Sequence, residues 1–224
     1  MKKLLLFYFC IAITTSVSSQ MFEIGGFLGG SNYIGDIGST KYINPNMPAI
    51  GGIARFNYTP RIAFRGTLTY TALRSLDSKG ESTFRINRGL SFNNRILEAA
   101  AGVEFHFFKY SLSRAGHSQT PYIFVEAGLV NYAIRPELGK SKRTTTFIFP
   151  VGLGYKMRLA RNIGIGFETS FRYTFKDAID GNNPAVPNPN YTFGNPESDD
   201  WYVFTGITLV YGFGRRSCYK ENEF

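Results

Sequence analysis

The chain has 224 residues, 16% of them aromatic, 24 glycines and a formal charge of +9. Beyond the first twenty residues no run of 18 apolar residues occurs, which excludes a helical membrane protein. Two histidines and the single cysteine beyond residue 20 are a poor set for a structural zinc site.

Residues 1–19 have the parts of a secretory signal peptide: Lys2 and Lys3, an apolar stretch from Leu4 to Ile13, and small residues Val17 and Ser19 before the expected cleavage point. The alternative, a membrane anchor, is disfavoured because the apolar run falls short of the roughly 20 residues of a spanning helix. Cys10 follows bulky Phe9, which argues against lipid attachment, and it leaves with the peptide. Loss of Lys2 and Lys3 takes the formal charge from +9 to +7. In an exported chain such basicity points to anionic lipid or an acidic protein partner rather than to nucleic acid.

Period-two alternation predicts eight strands, at residues 22–34, 47–58, 62–75, 92–107, 121–133, 146–158, 163–176 and 201–213. In the fourth, Leu97, Ala99, Ala101, Val103, Phe105 and Phe107 oppose a face carrying Glu98, Glu104 and His106. In the seventh, Ile163, Ile165, Phe167, Phe171, Tyr173 and Phe175 oppose Glu168, Arg172 and Lys176. A soluble sandwich would hide such apolar faces against a second sheet. In an eight-stranded antiparallel transmembrane β-barrel they face outer-membrane lipid, and aromatics near strand ends suit the girdles.

The connections 35–46, 76–91, 134–145 and 177–200 are long and polar, whereas 59–61 and 159–162 are tight turns, the pattern of long outer loops and short periplasmic turns. Residues 108–120 form an enlarged periplasmic turn with a contact role open to it. An even strand number places both termini in the periplasm. Residues 20–213 are thus the barrel and 214–224 a periplasmic tail. The acids Asp177, Asp180, Glu197, Asp199 and Asp200 could hold calcium, but they match no EF-hand spacing, and a solvated loop accounts for them better.

The inward set is Glu23, Glu98, Glu104, Glu126 and Glu168 against Arg55, Arg65, Lys156, Arg158, Arg172 and Lys176. Side chains nearly fill a barrel of this size, so an ion-pair plug is expected rather than a pore. Lipid-modifying barrel enzymes need a serine with a histidine base. His106 and His117 both map near the periplasmic end, away from such lipids, and no catalytic residue, cofactor or metal is expected.

Cys218 is the cysteine left after processing, open to an intermolecular disulfide or to remaining a free thiol. Arg61, Lys109, Arg114, Arg158, Arg161, Arg215, Arg216 and Lys220 map to the predicted periplasmic end, either as a docking face for an acidic protein or as a solvated rim.

Several segments carry a family resemblance: residues 23–37 (EIGGFLGGSNYIGDI), Tyr58-Thr59-Pro60-Arg61 with Arg65-Gly66, Asn94-Arg95-Ile96-Leu97-Glu98, Pro121-Tyr122, and residues 150–156 (PVGLGYK). In this order, across nearly the whole mature chain, the sequence resembles the PorG-like outer-membrane barrels of the Bacteroidetes type IX secretion system. That resemblance implies a non-enzymatic part in protein secretion or gliding motility, anchoring a periplasmic ring made of a PorK-like lipoprotein and a PorN-like protein. The alternative is a barrel that binds ligands or mediates adhesion through its outer loops, with Lys79, Arg85 and Arg88 as the surface.

Overall fold

The computed structural model describes residues 21–35, 37–39, 41–80, 82–112, 118–134, 142–175, 179 and 200–214. Eight antiparallel strands follow one another around a closed barrel: β1 (Met21–Ile34), β2 (Met47–Asn57), β3 (Ile62–Leu76), β4 (Ser91–His106), β5 (Gln119–Ile134), β6 (Lys142–Ala160), β7 (Ile163–Thr174) and β8 (Trp201–Phe213). The last strand pairs with the first from Phe22↔Phe213 to Ile34↔Trp201, which leaves no free sheet edge.

Strict alternation fixes what each face meets. On β3 the inward Arg65, Thr69, Thr71, Leu73 and Ser75 are buried, while the outward Phe64, Leu68 and Tyr70 are exposed. On β6 the outward row Phe147, Phe149, Val151, Leu153, Tyr155 and Met157 is exposed throughout. Rings cluster at both margins of this apolar belt. At the turn end Phe22 packs on Phe56 and Phe213, and Phe64 on Phe56 and Tyr58. At the loop end Tyr173 packs on Phe175 and Trp201.

The barrel seam is close. A Cβ at Gly25 would fall 2.0 Å from the Leu209 carbonyl oxygen, and one at Gly29 2.2 Å from that of Thr205. We expect Gly29→Val to impair closure, with a cost of about 1–3 kcal/mol from overpacking. Refolding yield, read as the heat-modifiable gel species, checks this, and an undiminished yield would refute it.

Two connections are more ordered than alternation predicts. β6 begins at Lys142 rather than 146, because Thr144 and Thr145 continue the hairpin opposite Tyr132 and Asn131. The 76–91 connection holds a 3-10 turn (Asp77–Lys79) and a short helix, α1 (Thr83–Arg88), closed by Gly89 in the left-handed conformation at φ 68°. The β6–β7 turn places Asn162 in the same region at φ 65°, which asparagine tolerates better than most residues with a Cβ because its side chain is short and polar.

The connection after β1 returns along the outside of the barrel. Asn32, on the outward side of β1, donates to the carbonyls of Lys41 and Tyr42 and accepts from the Asn44 amide. Pro45 lies over Gly30, and Tyr42 packs edge-on to Phe171 of β7. Val203, paired with Asn32 and on the outward side of β8, is buried, unlike the exposed outward Ile207 and Leu209 of the same strand. This strap leaves Tyr42 and Ile43 exposed.

Candidate functional site

The interior is where the strands bring their charged residues together. Glu23, Arg55, Arg65, Glu98, Glu104, Glu126, Lys156, Glu168 and Arg172, borne on seven of the strands, are all buried. Glu104 is the hub: its carboxylate accepts from Arg55 Nε at 2.9 Å, Arg65 Nη1 at 3.2 Å and Lys156 Nζ at 2.5 Å. Arg65 reaches Glu168 at 3.2 Å and Glu126 at 3.3 Å, and Arg55 reaches Glu23 at 3.4 Å. Arg172 and Glu98 form a second centre at 2.8 Å, where the Tyr202 hydroxyl also donates to Glu98 at 2.6 Å. Rings complete the filling, with the Arg65 guanidinium 3.7 Å from the centre of Phe124 and that of Arg172 4.6 Å from Phe204.

Both ends of the interior are stoppered. At the turn end, Tyr110 and Leu112 fold inward from the β4–β5 connection onto Ile53 and Val210. At the loop end, Tyr33, Leu73, Ile96, Val130, Tyr132, Ile148 and Tyr202 form an apolar cluster with Ile179. The enlarged turn is therefore partly a lid of the barrel, a use the polarity of its sequence does not reveal. Burial pushes the Tyr110 hydroxyl above its ordinary pKa, and the nearby Glu23 carboxylate adds to the effect.

His106 is fully buried; its Nδ1 lies 3.1 Å from the Pro60 carbonyl oxygen and its Nε2 2.8 Å from Glu104 Oε1. Both ring nitrogens are occupied by structure. Among the described residues no group of three or more His, Cys, Asp or Glu is placed to hold a metal ion. His117 lies outside the described residues.

The basic docking candidates divide. Arg61 in the β2–β3 turn, Lys109 in the β4–β5 connection, Arg158 near the end of β6 and Arg161 in the β6–β7 turn all lie at the turn end; Arg61, Lys109 and Arg161 are exposed and Arg158 half-buried. Arg61 donates to the Phe107 carbonyl at 3.0 Å, which ties two turns together. Arg114, Arg215, Arg216, Lys220 and Cys218 lie outside the described residues, as do Lys176, Asp177, Asp180, Glu197 and Asp199. Asp200 is buried, accepts from the Tyr33 hydroxyl and from the Ile179 amide, and serves the loop-end cluster.

At the loop end, the suggested basic surface is largely used internally. Arg85 donates to the carbonyls of Gly38 and Gly35, and Arg88 pairs with Asp77 at 2.8 Å, leaving Lys79 exposed. Burial alone would raise the Asp77 pKa. The Arg88 hydrogen bond and the backbone amides of Gly38 and Leu90 outweigh it and hold the carboxyl below its ordinary value. A depressed folded-state pKa contributes stability above the unfolded value, near 3.9, that is lost as pH falls through the folded value. Hydrogen-exchange protection of the Gly38 and Leu90 amides should therefore persist from neutral pH to about 4 and decline below it. Asp77→Ala should show low protection at every pH; protection unaffected by both changes would refute the clamp.

The model of the family described as a domain of unknown function, DUF6089, matches residues 2–222. The chain belongs to the DUF6089 family. No curated protein matches it. Among solved structures, the DUF6089 chain is similar to Ail, the attachment invasion locus protein of Yersinia pestis, in complex with the heparin analogue sucrose octasulfate, at 13% identity and TM-score 0.45, covering 87% of this chain and 99% of that one. Neisserial surface protein A is 14% identical at TM-score 0.45, over 86% and 97% of the two chains. A major outer membrane protein from Thermus thermophilus is 13% identical at TM-score 0.45, over 87% and 99%. The assignment of the fold rests on the closed strand order of this chain itself.

Proposed function

We propose that this DUF6089 protein is an outer-membrane barrel that performs no chemistry of its own and anchors a periplasmic protein-secretion assembly of the type IX kind. The observation that carries the reading is the combination of a continuous exposed apolar belt with an interior closed by ion pairs and by stoppers at both ends. Water would penalise that belt, whereas lipid rewards it. A filled interior leaves the two ends of the barrel as the surfaces open to function. The turn end supports docking because Arg61, Lys109, Arg158 and Arg161 gather there. From the sequence pattern we extend the proposal to the tail with Cys218, Arg215, Arg216 and Lys220, together with Arg114, with both termini periplasmic. The secretion role and the partners, a PorK-like lipoprotein and a PorN-like protein, come from the family resemblance in the sequence.

The test is isolation of the full chain from its native outer membrane, alkylated before lysis, in three forms: unaltered, Cys218→Ala, and Arg61→Glu combined with Lys109→Glu and Arg161→Glu. The charge-reversed form should remain in the membrane but lose the ring lipoprotein and the secretion of cargo. A disulfide partner would appear as a heavier band that reduction or Cys218→Ala removes. Unchanged co-isolation and secretion in both variants would end the anchoring reading.

Phe84 and Ile86, exposed on α1, favour a second reading in which the loop end binds an external ligand. Deleting residues 80–90 separates the two, since loss of adhesion with secretion intact supports the loop.

A further inference from the structure

On the loop side of the belt, a cavity of about 390 Å³ opens between the strap and the β3–β4 connection, lined in part by Ser39, Asn44, Asn46, Arg74, Ser75 and Lys79. Arg74 continues the outward row of β3 beyond Leu68, Tyr70 and Ala72, so its guanidinium stands just outside the apolar belt. On the neighbouring strand Arg95 pairs with Ala72 and Asn93 with Arg74, which makes Arg95 the diagonal outward neighbour of Arg74. Both arginines and Lys79 are exposed. Among the described residues none of the three is in an ion pair, and no carboxylate lines the cavity. The nearby Asp77 is committed to Arg88. Diagonal like charges on one sheet face repel unless an anion lies between them.

We infer that Arg74, Lys79 and Arg95 hold the phosphate of a phosphorylated lipid headgroup in the leaflet on the loop side. Guanidinium groups suit phosphate oxygens in paired hydrogen bonds, and the lysine adds a point charge. Asn44, Asn46 and Ser39 supply further polar atoms at the cavity wall. The choice of a lipid over a soluble anion rests on what flanks the site. Tyr70 and Leu97 of the belt, paired with each other, lie directly below Arg74 and Arg95 on the same outward rows and are exposed. A ligand seated here would have apolar surface beneath its headgroup, which acyl chains can use. The inference rests on the membrane-spanning reading above.

The full chain, reconstituted in vesicles of digalactosyldiacylglycerol, a lipid without phosphate, containing either diphosphoryl lipid A or its dephosphorylated form, tests this. Lipid retained on the barrel after detergent extraction is counted by native mass spectrometry. The diphosphoryl form should be retained preferentially, and retention should fall by roughly tenfold for each cation lost in Arg74→Gln, Lys79→Gln and Arg95→Gln. Heat-modifiable gel mobility verifies that each variant is folded. Equal retention of the two lipids, or retention unaltered in the triple variant, overturns the inference while leaving the barrel in its membrane. Inorganic phosphate binding to the site without displacement by the lipid overturns it as a lipid site. Failure of the unaltered chain to insert into either vesicle removes the membrane reading and the inference with it.

Discussion

Glu104→Ala should lower the stability of the folded barrel by about 3–5 kcal/mol, the usual consequence of removing one partner from a buried ion pair. The reason is the number of groups that depend on this one carboxylate. Arg55, Arg65 and Lys156 all point at it, and His106 uses it for one ring nitrogen. Without Glu104, Lys156 keeps no carboxylate within ion-pair distance among the described residues, whereas Arg55 keeps Glu23 and Glu168 and Arg65 keeps Glu126 and Glu168. The loss should therefore fall mainly on Lys156 and on the arginine nearest it. Urea unfolding in detergent measures the change, with the single tryptophan, Trp201 at the loop-end girdle, as probe. Because Lys156 and Glu104 share one interaction, the double variant Glu104→Ala with Lys156→Ala should lose less than the sum of the singles. A Glu104→Ala barrel as stable as the unaltered chain would mean that the interior is hydrated and the network weak.

Leu68→Arg tests the other half of the design. Leu68 stands outward at the middle of β3, more than half exposed, between Phe64 and Tyr70. In a bilayer an arginine at that depth costs about 2–4 kcal/mol, while the same change at the rim costs about 0–1 kcal/mol. Gln119→Arg, outward and exposed at the turn end of β5 opposite Met157, supplies the rim comparison. Unfolding from vesicles should rank Leu68→Arg well below Gln119→Arg. If the two are equal, or if Leu68→Arg is neutral, the belt does not face hydrocarbon and the anchoring proposal loses its basis.

The two predictions concern opposite faces of the same strands, and those faces differ in how visible they are in the sequence. Which residues point outward is a local property. The row Leu97, Ala99, Ala101, Val103 and Phe105 declares itself through the period of two, and the structure places Leu97, Val103 and Phe105 among the exposed residues of β4. The strand positions agree to within a few residues for the same reason; the largest difference, at the start of β6, arises where polar threonines continue a hairpin without apolar alternation.

The amino-acid sequence by itself therefore determined the strand number, the antiparallel barrel and the apolar exterior, since alternation and turn residues act over a few positions; of the charged residues expected inside, Arg158 instead stands half-buried at the turn end, where β6 leaves the barrel, and Lys176 lies outside the described residues. Only the tertiary structure decided which charges meet: Arg65 and Glu168 lie 103 residues apart and are brought together by strand stagger across the lumen. It also decided that Tyr110 and Leu112 turn in to close one end, that Asp77 and Arg88 clamp a connection legible in the sequence only as long and polar, and that a strap tied down by Asn32 covers part of the outer wall. These contacts join residues that no period relates. Their partners are fixed by the curvature and closure of the barrel, which become definite only once every strand has paired.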